Sequence, residues 1–336
     1  MAAGVAKRAT PASYLVTTRR LVVACVAMPK RRAAGSARAL TVTAAVLVVA
    51  AVVVAVIAAG KLIRNGTAAA GNRAGASTTA GAQITKAKTK HHKPLSAHPE
   101  FVRNATPQPG WRKYTGPVPI LVYHALGPPP PGAPFPLLYV SYYNFEQEMA
   151  WLYHNGYQAV TLNEVLNAWY HGGTLPAKPI VITFDNGYPE QVRFAPHVMA
   201  KYGWPGVLDE ITENHLPPSY IWPVIHRGWE VDSHSLTHPD LVTATPAELR
   251  AQVYDSRVYL QKTFHIPVNM FCYPSSEYDT AVINAVKQAG YTAAVTEGHA
   301  YAFRTEPYLL PRFEIEGGVS QLAADLSYYK PAHYGW

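Results

Sequence analysis

The chain has 336 residues, 49% of them hydrophobic, with 29 Lys/Arg against 21 Asp/Glu. The charge is unevenly placed: residues 1–100 hold 15 Lys/Arg and one acid, Glu100, whereas 101–336 hold 14 Lys/Arg against 20 Asp/Glu. The C-terminal part is therefore mildly acidic, which excludes a phosphate-neutralising surface for nucleic acid there. Two cysteines, Cys25 and Cys272, offer neither a structural zinc cluster nor a disulfide framework.

Residues 1–38 form a basic arm, and 39–59 contain no charged residue. A helix over those 21 positions is ~30 Å long, enough to cross a bilayer. The competing reading is a cleaved signal peptide, but its n-region would be 38 residues long and its apolar core about double the usual ~7–15. The expectation is an uncleaved single-pass anchor. Arg20, Lys30, Arg31, Arg32 and Arg38 precede it, against Lys61, Arg64 and Arg73 after it. That bias puts the N-terminus in the cytoplasm and the remainder outside the cell membrane. Residues 60–116 read as a flexible linker, since the Ala/Gly/Thr/Lys run of 60–100 can bury little apolar surface. Its lysines suit an anionic wall polymer or headgroup surface, and His91, His92 and His98 read as solvated linker residues.

From 117 to 336 strand and helix signals alternate. P-I-L-V-Y-H (119–124) reads as a strand and is followed by a proline-rich loop at 127–136. Asn144 with Gln147 resembles a capping box. Y-Q-A-V-T-L (157–162) reads as a strand, and Thr161-x-x-Glu164 starts a short helix. P-I-V-I-T-F-D (179–185) is a buried strand, followed by a helix from Pro189 to Tyr202. Strands at 205–211 and 229–234 flank a short helix at 220–226. Thr245-Pro246-x-Glu248 starts a helix running to Phe264. A strand at 269–274, a helix from Asp279 to Gly290 and a strand at 292–296 complete the series. Such alternation predicts an α/β fold, either a doubly wound sheet or a β/α barrel.

Polar residues collect at the C-terminal ends of these strands, where a β/α barrel keeps its active site: His124, Asp185, His234 and Ser275. Asp185 could simply cap the turn of D-N-G. His234 and His238 are four apart, a spacing that suits two ligands of one metal but is also common on surfaces. His124 taken alone would more often be a satisfied core histidine.

The segments P-I-L-V-Y-H, V-S-Y-Y-N-F-E-Q-E-M, I-V-I-T-F-D-N-G-Y, G-W-E-V-D-S-H-S-L-T-H-P-D-L, F-C-Y-P, A-G-Y-T-A-A-V-T and L-L-P-R-F, in order over roughly 117–316, resemble the polysaccharide deacetylase family. The resemblance implies a deformed β/α barrel. It also implies a hydrolase that removes acetyl groups from N-acetylglucosamine polymers such as peptidoglycan or exopolysaccharide, with a divalent metal, zinc, as cofactor. In the family's T-F-D-D-G motif the first Asp is the catalytic base and the second a metal ligand. Asp185 thus takes the base position and Asn186 the ligand position, with His234 and His238 as the two metal-binding histidines. F-C-Y-P-S stands where the family has Arg-x-Pro-Tyr, so Cys272 replaces an arginine. Ser275 takes the place of the tyrosine whose backbone N–H helps hold the oxyanion. Relatives acting on poly-N-acetylglucosamine take the general acid from a Y-H near the domain start, matched by Tyr123-His124. Arg312 is the candidate for the positive charge missing at Cys272.

Asn186 is the departure. An amide oxygen carries no charge and is a poorer zinc ligand than a carboxylate. Besides the metal-dependent N-deacetylase, two readings remain open at this stage. One is a catalytically silent carbohydrate-binding protein, with Trp204, Trp222 and Trp229 as candidate sugar-binding rings. The other is an esterase acting on O-acetylated sugars with the same site.

Overall fold

The computed structural model describes residues 101–331. The basic arm, the anchor expected at 39–59 and the linker up to residue 100 lie outside them. Among the described residues no helix is long and apolar enough to cross a membrane. Residues 101–116, placed in the linker by their sequence, pack on the folded domain. Val102 and Asn104 are buried, and their N–H groups donate to Arg227 O and Gly203 O at 2.9 and 2.8 Å.

Seven parallel strands close into a ring: β1 Ile120–Tyr123, β2 Pro179–Asp185, β3 Val207–Glu210, β4 Glu230–Ser233, β5 Met270–Cys272, β6 Ala293–Glu297 and β7 Leu310–Glu314. Chain neighbours pair from β2 through β7, and β1 closes the ring by pairing with both β7 and β2. The strand expected at 157–162 shrinks to Gln158–Ala159, which adds to the N-terminal end of β2. The architecture is the deformed barrel expected, with strands buried on both faces as parallel sheets require. All seven residues of β2 are buried.

Helices cover the ring: α1 Tyr142–His154, α2 Leu162–His171, α3 Pro189–Arg193, α4 Ala195–Ala200, α5 Pro218–Ile225, α6 Pro246–Arg250, α7 Ser256–Phe264, α8 Thr280–Gln288 and α9 Val319–Tyr328. The cap of α1 is Ser141, whose hydroxyl accepts from Asn144 N at 3.1 Å, so the helix begins ahead of the box read at Asn144 and Gln147. The single helix expected over 189–202 is two, broken at Phe194 before Pro196, which has no N–H to continue the ladder. A π-turn at Ala251–Asp255 joins α6 to α7. The strand β7 and helix α9 were not legible from periodicity, because Pro311 sits inside β7 and two glycines precede α9.

Period-two alternation sorts the strands into two layers. Ile180, Ile182 and Phe184 of β2 face the helices, in one core with Phe145, Trp204, Leu208 and Phe271. The intervening positions face the ring interior, where Val181, Val207, Met270, Ala293 and Leu310 form a second core. Helix α2 packs on this second core through Leu162, Val165 and Trp169. Its Asn163 N–H donates to Glu230 Oε2 at the start of β4, 2.9 Å, which ties α2 to the N-terminal end of the ring. The same alternation carries Thr183 and Asp185, Asp209, Cys272 and Arg312 onto the interior face at the opposite end.

Candidate active site

Asp185, the last residue of β2, is buried and gripped by Arg312 from β7. The guanidinium donates Nη1 to Oδ1 at 2.7 Å and Nη2 to Oδ2 at 2.8 Å. It also reaches Asp209 Oδ2 at 3.3 Å, Thr183 Oγ1 at 3.0 Å and Cys272 Sγ at 3.1 Å. Cys272, a free buried thiol, donates to Asp185 Oδ2 at 3.3 Å. Burial alone would raise the Asp185 carboxyl's proton affinity. The charge and hydrogen bonds of Arg312, with the field of His234, outweigh that and hold it well below the usual carboxylate range. Burial pushes the Cys272 thiol up, so it stays a neutral donor. The positive charge absent at Cys272 is thus supplied by Arg312 from two strands away.

The second group follows β4. His234 is buried, and its Nδ1 faces Cys272 O at 3.0 Å, which directs Nε2 toward Asp185 Oδ2 at 3.8 Å. That carbonyl fixes the proton on Nδ1 and leaves the Nε2 lone pair free for a metal. Burial pushes the imidazole down to about 4, so it is neutral and able to ligate at neutral pH. The His238 ring lies against it, centroids 4.6 Å apart at 81°, and the Ser235 hydroxyl accepts from His238 N–H at 2.9 Å. Asn186 begins the turn after β2 with φ 74°, a left-handed conformation that Asn and Asp tolerate. Gly187 follows at φ 72°, where a Cβ would come within 2.6 Å of Glu210 Oε2, so only glycine fits. The Asn186 side-chain oxygen is buried with no hydrogen-bond partner, as an acceptor waiting for a cation would be. His234, His238 and Asn186 fit a divalent metal as two imidazole nitrogens and an amide oxygen. The alternative set of Asp185, His234 and Cys272, whose ligand atoms lie within 4.8 Å of one another, does not: two of its members are already bonded to a cation, Arg312.

Opposite these stands an acidic wall. His124, just after β1, is buried, with Nδ1 4.0 Å from Glu314 Oε1. Its ring, Glu297 and Glu314 bring ligand-capable atoms within 4.8 Å. Burial lowers the proton affinity of His124, and the fields of Asp185 and Glu297 partly oppose that. Burial and its neighbours Glu297 and Glu316 raise the carboxyl of Glu314. Gln191 of α3 donates one amide to both His124 O and Asp185 O, at 2.9 and 2.6 Å, and so locks the ends of β1 and β2 together.

Asp185, Asn186, His234, His238, His124 and Ser275 line one cleft of about 320 Å³, together with Glu297, Glu314, Phe135, Leu138 and Tyr188. Arg312 lies beneath its floor rather than in its wall. Ser275 takes a left-handed φ of 51° directly after Pro274. The proline-rich loop contributes the rim: Phe135 is 67% exposed yet borders the cleft. Sequence reasoning missed Asp209, Glu297 and Glu314. The last two end β6 and β7, so the strand-end rule that found Asp185 would have found them had those ends been placed correctly. The three tryptophans singled out as sugar-binding rings do not border the cleft. Trp204 and Trp229 are core residues, and Trp222 is half-buried against that core.

Residues 172–294 match the family model for Polysaccharide deacetylase. The chain is 27% identical over 249 residues to YxkH of Bacillus subtilis (strain 168), a protein assigned as a polysaccharide deacetylase, covering 72% of this chain and 87% of that one. A shorter match, 36% identical over 61 residues, covers 18% of this chain and 9% of the poly-beta-1,6-N-acetyl-D-glucosamine N-deacetylase of Escherichia coli (strain K12). Among solved structures, a polysaccharide deacetylase from Bacillus cereus superposes with a TM-score of 0.56 at 27% identity, over 63% of this chain and 69% of that one. The Streptococcus pyogenes deacetylase PplD, solved with acetate, shares the fold at a TM-score of 0.59 and 22% identity, over 65% of this chain and all of its own (100%). Over residues 172–294 the chain therefore matches the polysaccharide deacetylase family, and the relatives it resembles along most of its C-terminal part are described as polysaccharide deacetylases, hydrolases of N-acetyl amide bonds.

Proposed function

We propose that the protein removes N-acetyl groups from an N-acetylglucosamine-containing polysaccharide, peptidoglycan or exopolysaccharide. In this reading it is held at the outer face of the cell membrane by residues 39–59 and uses a divalent metal, zinc. The observation that carries this is Asp185 at the cleft floor, kept ionised by the bidentate Arg312 pair while the imidazoles of His234 and His238 line the same cleft.

His234, His238 and Asn186 would hold the metal, which when bound polarises the acetamide carbonyl and makes water a better nucleophile. Asp185 accepts the proton of the attacking water. Arg312 keeps that carboxylate ionised and oriented beforehand. The Ser275 N–H, at the turn after Pro274, stabilises the oxygen that gains negative charge. His124 gives a proton to the sugar nitrogen as the C–N bond breaks, leaving acetate and a free amine.

The test is acetate release from N-acetylglucosamine oligomers by the full-length chain and by Asp185→Asn. Release by the wild type and its loss by about a hundredfold or more in Asp185→Asn is the expected result. Asn186 favours one second reading, a carbohydrate-binding protein without activity, because none of the three metal donors bears a negative charge. Oligomer binding without acetate release, persisting in Asn186→Asp, would establish that reading instead. Release from O-acetylated but not N-acetylated sugars would identify an esterase.

A further inference from the structure

Asn186 is followed by glycine, and Asn-Gly is the pair whose backbone nitrogen most readily attacks the preceding side-chain amide, because glycine has no Cβ to shield it. The attack closes a cyclic imide. The chain carries the pair at Asn65, Asn155 and Asn186, and the structure describes the last two, in opposite states. After α1, Asn155 Nδ2 donates to Trp151 O at 2.8 Å and Gly156 N–H donates to Tyr153 O at 3.0 Å. Both reacting groups are tied down there. At Asn186 the side-chain oxygen is buried without a partner, and among the described residues Gly187 N–H donates to nothing. Imide closure at Asn186 therefore breaks no hydrogen bond of the attacking nitrogen.

Glu210 stands over this turn. Its carboxylate fills the place a Gly187 Cβ would take, with Oε2 2.6 Å from that point, and both its oxygens are buried without a hydrogen bond. A buried carboxylate left unpartnered calls for a role, and the deacetylation steps give it none. Its position against Gly187 suits a base for that residue's N–H. The turn is also held for it: Asn186 and Gly187 are both left-handed, and Asn186 N–H donates to Asp209 O, the residue before Glu210, at 3.1 Å. Asn186 borders the cleft, so water reaches it from that side.

We infer that Asn186 is a self-modification site that matures to aspartate. Glu210 takes the Gly187 N–H proton as that nitrogen bonds to Asn186 Cγ. The Cγ–Nδ2 bond breaks, and the amide nitrogen leaves with the proton as ammonia. Water from the cleft then adds to Cγ, the N–Cγ bond breaks, and a proton returns to the Gly187 nitrogen. One water is consumed and one ammonia released, the peptide bond stays intact, and a carboxylate stands at 186. Only the consequence rests on the proposed function: the new carboxylate gives the metal site the charged ligand it lacks.

The test is peptide mapping by mass spectrometry of the folded full-length chain, freshly purified and after days of incubation. Asn186 and Asn155 are compared in the same sample, with aspartate and isoaspartate distinguished by fragmentation. Conversion at Asn186 should run about tenfold or more faster than at Asn155, yield aspartate, and slow by about tenfold or more in Glu210→Gln. Aspartate already present at 186 on purification is the same result, and unfolding the chain should abolish the difference between the two positions. Equal rates in the folded chain would overturn the inference, as would isoaspartate as the main product or an unchanged rate in Glu210→Gln. Acetate release from N-acetylglucosamine oligomers should rise with the converted fraction. Conversion without release supports the modification and removes the deacetylase reading, whereas release by a chain that keeps Asn at 186 does the reverse.

Discussion

Two positions depart from the family pattern, Cys272 and Asn186, and the structure treats them differently. At Cys272 the lost positive charge returns from another strand. Arg312 on β7 crosses the ring interior, closes a bidentate pair with Asp185 and bonds the Cys272 thiol, at the position where the resemblance implies an arginine. At Asn186 no carboxylate takes over. The nearest candidate, Glu210 under the following glycine, packs against the turn rather than lining the cleft. A buried ion pair that loses one partner leaves the other charge stranded, which costs several kcal/mol. A metal ligand that loses its charge still offers an oxygen, and the cost falls on metal affinity alone. Replacing the first therefore requires a relocated cation, while the second substitution is compatible with the fold.

The sharpest way to break this comparison is at Arg312. Arg312→Ala should destabilise the domain by about 3–5 kcal/mol, because the ionised Asp185 would be left buried without its cation. Denaturant unfolding reads this directly, and Arg312→Lys should recover only part of it, since one ammonium cannot make the fork. A loss below about 1 kcal/mol would mean that the relocated charge is incidental.

The imidazole wall predicts a different signature, in acid. The folded value of His234 is pushed down to about 4 from an unfolded value near 6.5. The unfolded chain therefore binds a proton in that window before the folded one does. The contribution of His234 to the stability of the metal-stripped protein should fall by about 3 kcal/mol as pH drops from about 6.5 to about 4. Asp185 is depressed instead, so its contribution survives that window and is lost only at lower pH. Unfolding midpoints at the two ends of the window, for wild type and His234→Gln, separate the contributions. A His234→Gln variant whose midpoints change across the window just as the wild type's do would contradict a buried neutral imidazole.

These features differ in how far the sequence displays them. The apolar run of β2 ending in Asp185, and the pair His234 and His238 after β4, were legible because a strand end and a fixed local spacing are local properties. The capping boxes of α2 and α6 were legible for the same reason, as Thr161 with Glu164 and Thr245 with Glu248. The pairing of Arg312 with Asp185 spans 127 positions and depends on β1 closing the ring between β7 and β2, which no local pattern encodes. Asp209 looked like part of an apolar strand, and only the closure of the ring turns it toward Arg312. The tryptophans misled because large rings serve a core as readily as a sugar. Phe135, on the proline-rich loop, and Tyr188 are the aromatic rings that border the cleft.

The most direct test of the account is zinc titration of the metal-stripped full-length chain by calorimetry. One-to-one binding that disappears in His234→Ala and tightens by about tenfold or more in Asn186→Asp is the predicted result. Absence of binding at high micromolar zinc, or binding that His234→Ala leaves unchanged, would contradict it.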